Sequence, residues 1–225
     1  MSFSLHTLLL GLFAQPIQPT ELVVNTDPHH YSANISQEQG EIDLSNIAKQ
    51  EPTNDWREEL WYYVETTDGK TQWYEAGIDE KYNSVEPDKK ITEKLLRKSN
   101  EISKIVDYHI HPKEFPECNY VSLPSMFDSM NEVRGAQKFM EKNSNIHYES
   151  RIVTSNGMFV INYSPEVVNE EIAVQTIQTQ MKPSTDAIVN PTLGNYDLIA
   201  RPIEDSKRFA AAITSQYAPV AFIPQ

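Results

Sequence analysis

The chain has 225 residues, of which 39% are hydrophobic and 10% aromatic, and its 19 basic and 32 acidic residues leave a formal net charge of −13. This apolar content is enough for a hydrophobic core, and the length predicts one domain with appendages or at most two small domains. The acidic balance argues against nucleic-acid binding, which needs clustered Lys and Arg, and the lone Cys118 excludes an internal disulfide.

Residues 1–54 are predicted to be an N-terminal leader or linker without a core of its own, rich in Gln, Pro, Asn, Ser and acidic residues. Residues 8–13 form a short apolar run with no Lys or Arg before it, so only part of a secretory signal is present. We therefore expect a cytoplasmic protein, with secretion as the alternative if residues 1–14 act as a signal. Apolar runs are too short for a membrane span.

The predicted domain, residues 55–165, opens with a β-hairpin. Residues 60–64 are aromatic and β-branched, Asp68 and Gly69 form a turn signal, and residues 71–74 resume strand character. Apolar spacing and turn signals then predict a helix over 91–102, a strand over 105–111 stopped by Pro112, a helix over 125–142, and a second hairpin over 151–154 and 158–163.

Residues 166–225 are predicted to be a C-terminal helical extension packed on the domain. The spacing predicts helices over 165–181 and 204–217 and a closing strand over 218–223. The order of elements predicts an α/β fold with a mixed, mainly antiparallel β-sheet flanked by helices.

The chemistry is concentrated in Asp107-Tyr-His-Ile-His-Pro112, followed by Pro124-Ser-Met-Phe-Asp128. Alternate side chains of a strand share a face, so His109 and His111 can present two imidazole nitrogens to one metal. Asp128, in the first turn of a helix that starts at Ser125, can supply an oxygen ligand. Two His and one carboxylate leave a fourth position open, as in a hydrolytic zinc site.

These motifs, His-x-His-Pro and Pro-Ser-x-x-Asp, resemble those of the JAMM (MPN+, or JAB-domain) metalloprotease family over roughly residues 56–165. The resemblance implies a JAB/MPN-like, cytidine-deaminase-like sandwich. It also implies one Zn2+ per chain on His109, His111 and Asp128, an upstream glutamate as the general base for a zinc-activated water, and Ser125 as the hydrogen-bond donor to the oxyanion. The connection over residues 112–124 is longer than in the family's pattern, and a loop insertion costs little closure entropy.

The upstream glutamate has three candidates. Glu58 and Glu59 precede the aromatic run, and adjacent side chains on a strand face opposite ways, so the sequence leaves open which one faces the metal. We choose Glu59, with Glu58 second and Glu65 third. Ser122 is a weaker alternative to Ser125 because it lacks the following x-x-Asp.

The resemblance implies a zinc-dependent metallopeptidase or isopeptidase, a deubiquitinase-like hydrolase. Its substrate would be a protein or peptide with an extended tail, such as a ubiquitin-like modifier, added as a strand beside the zinc. Two alternatives are a non-catalytic JAB-fold binding or scaffold module and a DNA-repair-associated bacterial JAB relative without proteolysis.

Overall fold

The computed structural model describes residues 35–49, 58–81, 84–111, 121–122, 126–169, 198–199 and 202–225. In chain order the elements are α1 (Gln37–Lys49), β1 (Glu59–Thr66), β2 (Thr71–Glu75), β3 (Gly77–Lys81), β4 (Ser84–Pro87), α2 (Lys89–Arg97), β5 (Ile102–Ile110), β6 (Val121–Ser122), α3 (Met126–Lys142), β7 (His147–Thr154), β8 (Gly157–Asn162), β9 (Leu198–Ile199), α4 (Pro202–Ile213) and β10 (Val220–Pro224). Short 3-10 helices cover Ser99–Glu101 and Pro165–Val168.

A six-stranded sheet with the order β10-β8-β7-β5-β1-β2 forms the centre of the molecule. Strands β5 and β7 pair in parallel, and the other neighbours in this sheet pair antiparallel. The helix α3 lies between the two parallel strands in the chain, as a crossover connection requires. The predicted α/β class, with a mixed and mainly antiparallel sheet flanked by helices, is confirmed.

The first hairpin forms where its sequence predicts it. β1 carries the run Leu-Trp-Tyr-Tyr-Val, whose aromatic and β-branched side chains suit a buried strand. Gly69 turns the chain with a φ of 81°, a conformation that favours glycine. Tyr62 pairs with Tyr74 across the hairpin, and on the other side of β1 it pairs with Asp107 of β5.

The two faces of the sheet have separate cores. Helices α2, α3 and α4 cover one face, and their buried side chains include Leu95, Phe139 and Phe209. Helix α1 covers the other face, where Leu44 packs in a cluster with Trp73. The described chain therefore has three layers, with the sheet in the middle.

The α1 layer is held by polar contacts as well. The Tyr108 hydroxyl donates to Oε1 of Glu41 at 2.7 Å and accepts from Nε2 of Gln37 at 2.9 Å. Arg151 donates through Nη1 to the same Glu41 oxygen and through Nε to Glu149. These side chains join α1 to β5 and β7.

Several elements differ from the sequence predictions. Helix α1 lies inside the segment that we predicted to be a linker. Its buried residues are Gly40, Leu44, Ser45 and Ala48, and only Leu44 among them is large and apolar, so the helix has a weak periodic signal. The hairpin β3–β4 was missed as well. Helix α2 ends at Arg97, and β5 already begins at Ile102, three residues before the predicted strand.

The C-terminal segment joins the central sheet. Strand β10 pairs antiparallel with β8, and α4 packs against the same core. Both elements were predicted, over 218–223 and 204–217 respectively. The predicted helix over 165–181 begins as the 3-10 helix Pro165–Val168, and its part beyond residue 169 lies outside the described residues.

Within the described part of the chain, no helix has the length and apolar character needed to cross a membrane.

Candidate metal centre

The two histidines of the predicted motif lie at the end of β5. The strand alternation puts Asp107 and His109 on the face covered by α3, and His111 follows directly after the strand. The backbone N–H of His111 donates to the carbonyl of Val153 at 2.8 Å, which holds this residue beside β7. The two rings meet edge to face with centroids 4.6 Å apart, and both side chains are buried.

Glu58 joins these histidines because of the register between β1 and β5. Leu60 lies opposite His109, so the residue two positions earlier, Glu58, projects on the same side of the sheet. Its Oε2 atom lies 3.1 Å from Nε2 of His109. The three residues Glu58, His109 and His111 form the Glu-His-His cluster, the one group among the described residues with the composition and spacing of a metal site.

The Glu-His-His cluster fits a metal ion. Each residue offers one ligand atom, and the three atoms lie within 4.8 Å of one another. Ligand bonds of about 2.0–2.1 Å in a tetrahedral site put neighbouring ligand atoms about 3.3 Å apart, close to the separation of Glu58 and His109. Two imidazole nitrogens and a carboxylate oxygen are ligands that zinc accepts.

The structure places Glu59, our first choice for the general base, away from the histidines. Glu59 lies opposite Ile110 and therefore projects from the other face of the sheet. Its Oε2 atom accepts a hydrogen bond at 2.8 Å from Nε1 of Trp61. Burial raises the pKa of the Glu59 carboxyl, and the Trp61 hydrogen bond partly opposes this. Glu65, the third choice, lies near the far end of β1, opposite Lys104.

The other predicted site residues lie at the start of α3 or before it. Asp128 is in the first turn of this helix, and its side chain lies outside the described residues, as does the whole of Ser125. Asp128 precedes Glu132 by four residues, which is about one helical turn. Ser122, the weaker alternative serine, belongs to β6, which pairs antiparallel with β9.

Two buried carboxylates beside the histidines were missed by the sequence analysis. Oε1 of Glu132 lies 3.8 Å from Nδ1 of His109, and Oδ2 of Asp107 accepts a hydrogen bond at 3.1 Å from the Tyr148 hydroxyl. Burial raises the pKa of Asp107 to about 7, and the charge of Glu132 contributes to this rise. Their sequence signals were their spacings, two residues before His109 and four residues after Asp128.

A scan against protein-family models, a search of curated proteins and a search of solved structures each found no match for this chain.

Proposed function

We propose that this protein is a zinc-dependent metallopeptidase or isopeptidase with a JAB/MPN-like domain. The observation that carries the proposal is the Glu-His-His cluster, in which both histidines are buried and Oε2 of Glu58 lies 3.1 Å from Nε2 of His109. His109 and His111 would hold the ion, and Asp128 would supply the third ligand from the first turn of α3. Zinc, when bound, would polarise the substrate carbonyl and lower the pKa of a water molecule.

In this proposal Glu58 replaces Glu59 as the general base. Its carboxylate lies against Nε2 of His109, so it borders the position that a metal on this nitrogen would take. A carboxylate there can take the proton of an attacking water on one oxygen and return it to the amine that leaves. Ser125 would donate a hydrogen bond to the developing oxyanion. The products are a carboxylate and a free amine, which is amide or isopeptide hydrolysis.

The proposed substrate is a protein with an extended tail, such as a ubiquitin-like modifier. An extended chain can hydrogen-bond along a strand while its scissile bond lies beside the metal. The net charge of −13 favours a basic partner over an acidic one. Peptidase assays should therefore include isopeptide-linked ubiquitin-like dimers and short fluorogenic peptides with basic flanks.

Metal content tests the site. Purified protein should contain about one zinc per chain, and His109→Ala, His111→Ala and Asp128→Ala should each lose it. No zinc in the wild-type protein, and no uptake when zinc is added, would contradict the proposal.

Peptide cleavage tests the role of the glutamate, for which the chain offers a matched control. Glu58→Gln should keep the zinc and lower kcat by about 100-fold or more, because general acid–base catalysis contributes about 10²–10⁴. Glu59→Gln, on the opposite face, should retain kcat. Loss of zinc from Glu58→Gln would instead identify Glu58 as a ligand. Zinc binding without cleavage of any of these substrates would favour the non-catalytic binding module.

A further inference from the structure

The His109 ring lies between two carboxylates that approach it from opposite sides. Glu58 approaches Nε2 at 3.1 Å, and Glu132 of α3 approaches Nδ1 at 3.8 Å. The Nε2 atom belongs to the Glu-His-His cluster, whereas Nδ1 is directed to the helix that covers this face of the sheet. The two nitrogens therefore have different surroundings.

We propose that Glu132 is a positioning residue, whose carboxylate accepts a hydrogen bond from Nδ1–H of His109 and thereby presents Nε2 to the metal. This inference deepens the zinc site and rests on it. A neutral imidazole that binds a metal through one nitrogen carries its proton on the other, and this N–H needs an acceptor when the ring is buried. His109 is 7% exposed and Glu132 only 4% exposed, and Oε1 of Glu132 lies 3.8 Å from Nδ1, so this carboxylate is a candidate for the acceptor.

The geometry allows this hydrogen bond with a small adjustment. A direct N–H···O bond needs a separation of about 2.9 Å, which is about 1 Å less than the distance between Nδ1 and Oε1. The proposed bond therefore requires Nδ1 and Oε1 to lie about 1 Å closer in the metal-bound protein than they do here. The next residue, Val133, and Ala136 one turn later are buried in the core, so the backbone that carries Glu132 is firmly packed.

The position of Glu132 along α3 supports the same role. Asp128 lies one helical turn earlier, so this helix would provide both a metal ligand and the residue that orients a second ligand. Such an arrangement couples the helix to the strand β5 through the site. The positioning of His109 would then depend on a rigid element and not on a loop.

The test is a measurement of metal affinity that does not depend on cleavage. Zinc affinity of the full chain would be measured by competition with a chromophoric chelator for wild type, Glu132→Leu and Glu132→Gln. We expect the Leu variant to weaken zinc binding about 10- to 100-fold, as loss of such hydrogen bonds does elsewhere. The Gln variant should retain most of the affinity, since its amide oxygen still accepts a hydrogen bond while its charge is removed.

Cobalt absorption and a matched control complete the experiment. The visible bands of bound Co2+ report ligand geometry, and they should change in the Leu variant and stay unchanged in the Gln variant. Glu149→Leu is the control, because Glu149 is a buried glutamate on the other face of the sheet, where it accepts from Arg151. Its metal affinity should equal that of wild type. Glu132→Ala replaces the Leu variant if the latter does not fold.

Three results would overturn the inference, and they separate it from the proposed function. Wild-type zinc affinity in the Leu variant would show that metal binding by His109 does not depend on Glu132. Equal losses in the Leu and Gln variants would assign the effect to charge and not to the hydrogen bond. Absence of metal binding in wild type would overturn both proposals together, whereas bound metal without peptidase activity would count against the proposed activity alone.

Discussion

The two faces of the central sheet use buried polar groups in different ways. On the α1 face, Tyr108 and Arg151 donate hydrogen bonds to Glu41 of α1 and so join the helix to the sheet, and Arg151 also donates to Glu149 of its own strand, β7. His109, the next residue along the chain, faces α3. It lies between the carboxylates of Glu58 and Glu132 and beside the ring of His111. The first set contains matched donors and acceptors, and the second set concentrates potential metal ligands.

This difference shows how one strand can serve structure and chemistry at once. Strand β5 alternates between Val106, Tyr108 and Ile110 on one face and Asp107 and His109 on the other. Burying several carboxylates together is costly unless cations or protons compensate their charges. A bound metal ion would supply such a charge on the α3 face, while Arg151 supplies it on the α1 face.

Metal binding should produce the largest difference between the faces. At a zinc concentration about 1,000 times Kd, binding to the folded state adds about 4 kcal/mol to the free energy of unfolding. We expect this gain, measured by urea unfolding with and without zinc, in wild type and in Tyr108→Phe. His111→Ala should show no gain. An equal gain in His111→Ala would place the bound zinc elsewhere.

Gly40→Ala should weaken the packing of α1 on the sheet and leave zinc binding unchanged. A Cβ at Gly40 would lie 2.1 Å from Cζ2 of Trp73, which is only 1% exposed. Overpacking costs about 1–3 kcal/mol, more than the gain of about 1 kcal/mol from replacing helical glycine with alanine. Urea unfolding should therefore show a lower stability, with zinc content unchanged. Asn46→Ala, at an exposed position of α1, is the control and should stabilise the protein by up to about 0.7 kcal/mol through helix propensity. Loss of zinc from Gly40→Ala would show that the faces are coupled.

Gly135→Ala provides the corresponding change on the α3 face. Its Cβ would lie 2.8 Å from the hydroxyl oxygen of Tyr148, which donates to Asp107. We expect a net loss of about 1 kcal/mol in stability from this crowding. In a Tyr148→Phe background the clash disappears, and the same substitution should stabilise the protein by up to about 1 kcal/mol through helix propensity. A double-mutant cycle by urea unfolding measures this reversal, and additive effects would contradict it.

Tyr108→Phe should have a small effect, similar in size to that of Gly135→Ala. It removes the hydrogen bonds with Glu41 and Gln37 but leaves the ring in the core beside Trp73. The expected loss is about 0.5–1.5 kcal/mol in the free energy of unfolding, with no change in zinc content. Glu41→Gln keeps an acceptor for the hydroxyl and serves as the comparison. A loss of zinc in Tyr108→Phe would show that the packing of α1 on the sheet affects metal binding on the opposite face.

Much of the fold was predictable because its elements have strong local signals. The aromatic run of β1, the turn at Gly69 and the apolar spacing of α2 and α3 all predicted elements that the structure contains. Helix α1 was missed because its burial depends on a partner surface, above all Trp73, that only the folded sheet provides. The pairing of β10 with β8 could not be predicted from the sequence either, since it depends on contacts between residues that are distant in the chain.

The sequence alone was enough to predict that His109 and His111 can bind the same metal ion, because side chains two residues apart on a strand share a face. Which of Glu58 and Glu59 lies beside the histidines was decided by the tertiary structure. A shift of one residue in the pairing of β1 with β5 would exchange the two glutamates, and no local feature of the sequence sets that pairing. Glu132 reached His109 in the same way, because the packing of α3 on the sheet, and not any motif, brings its carboxylate to Nδ1.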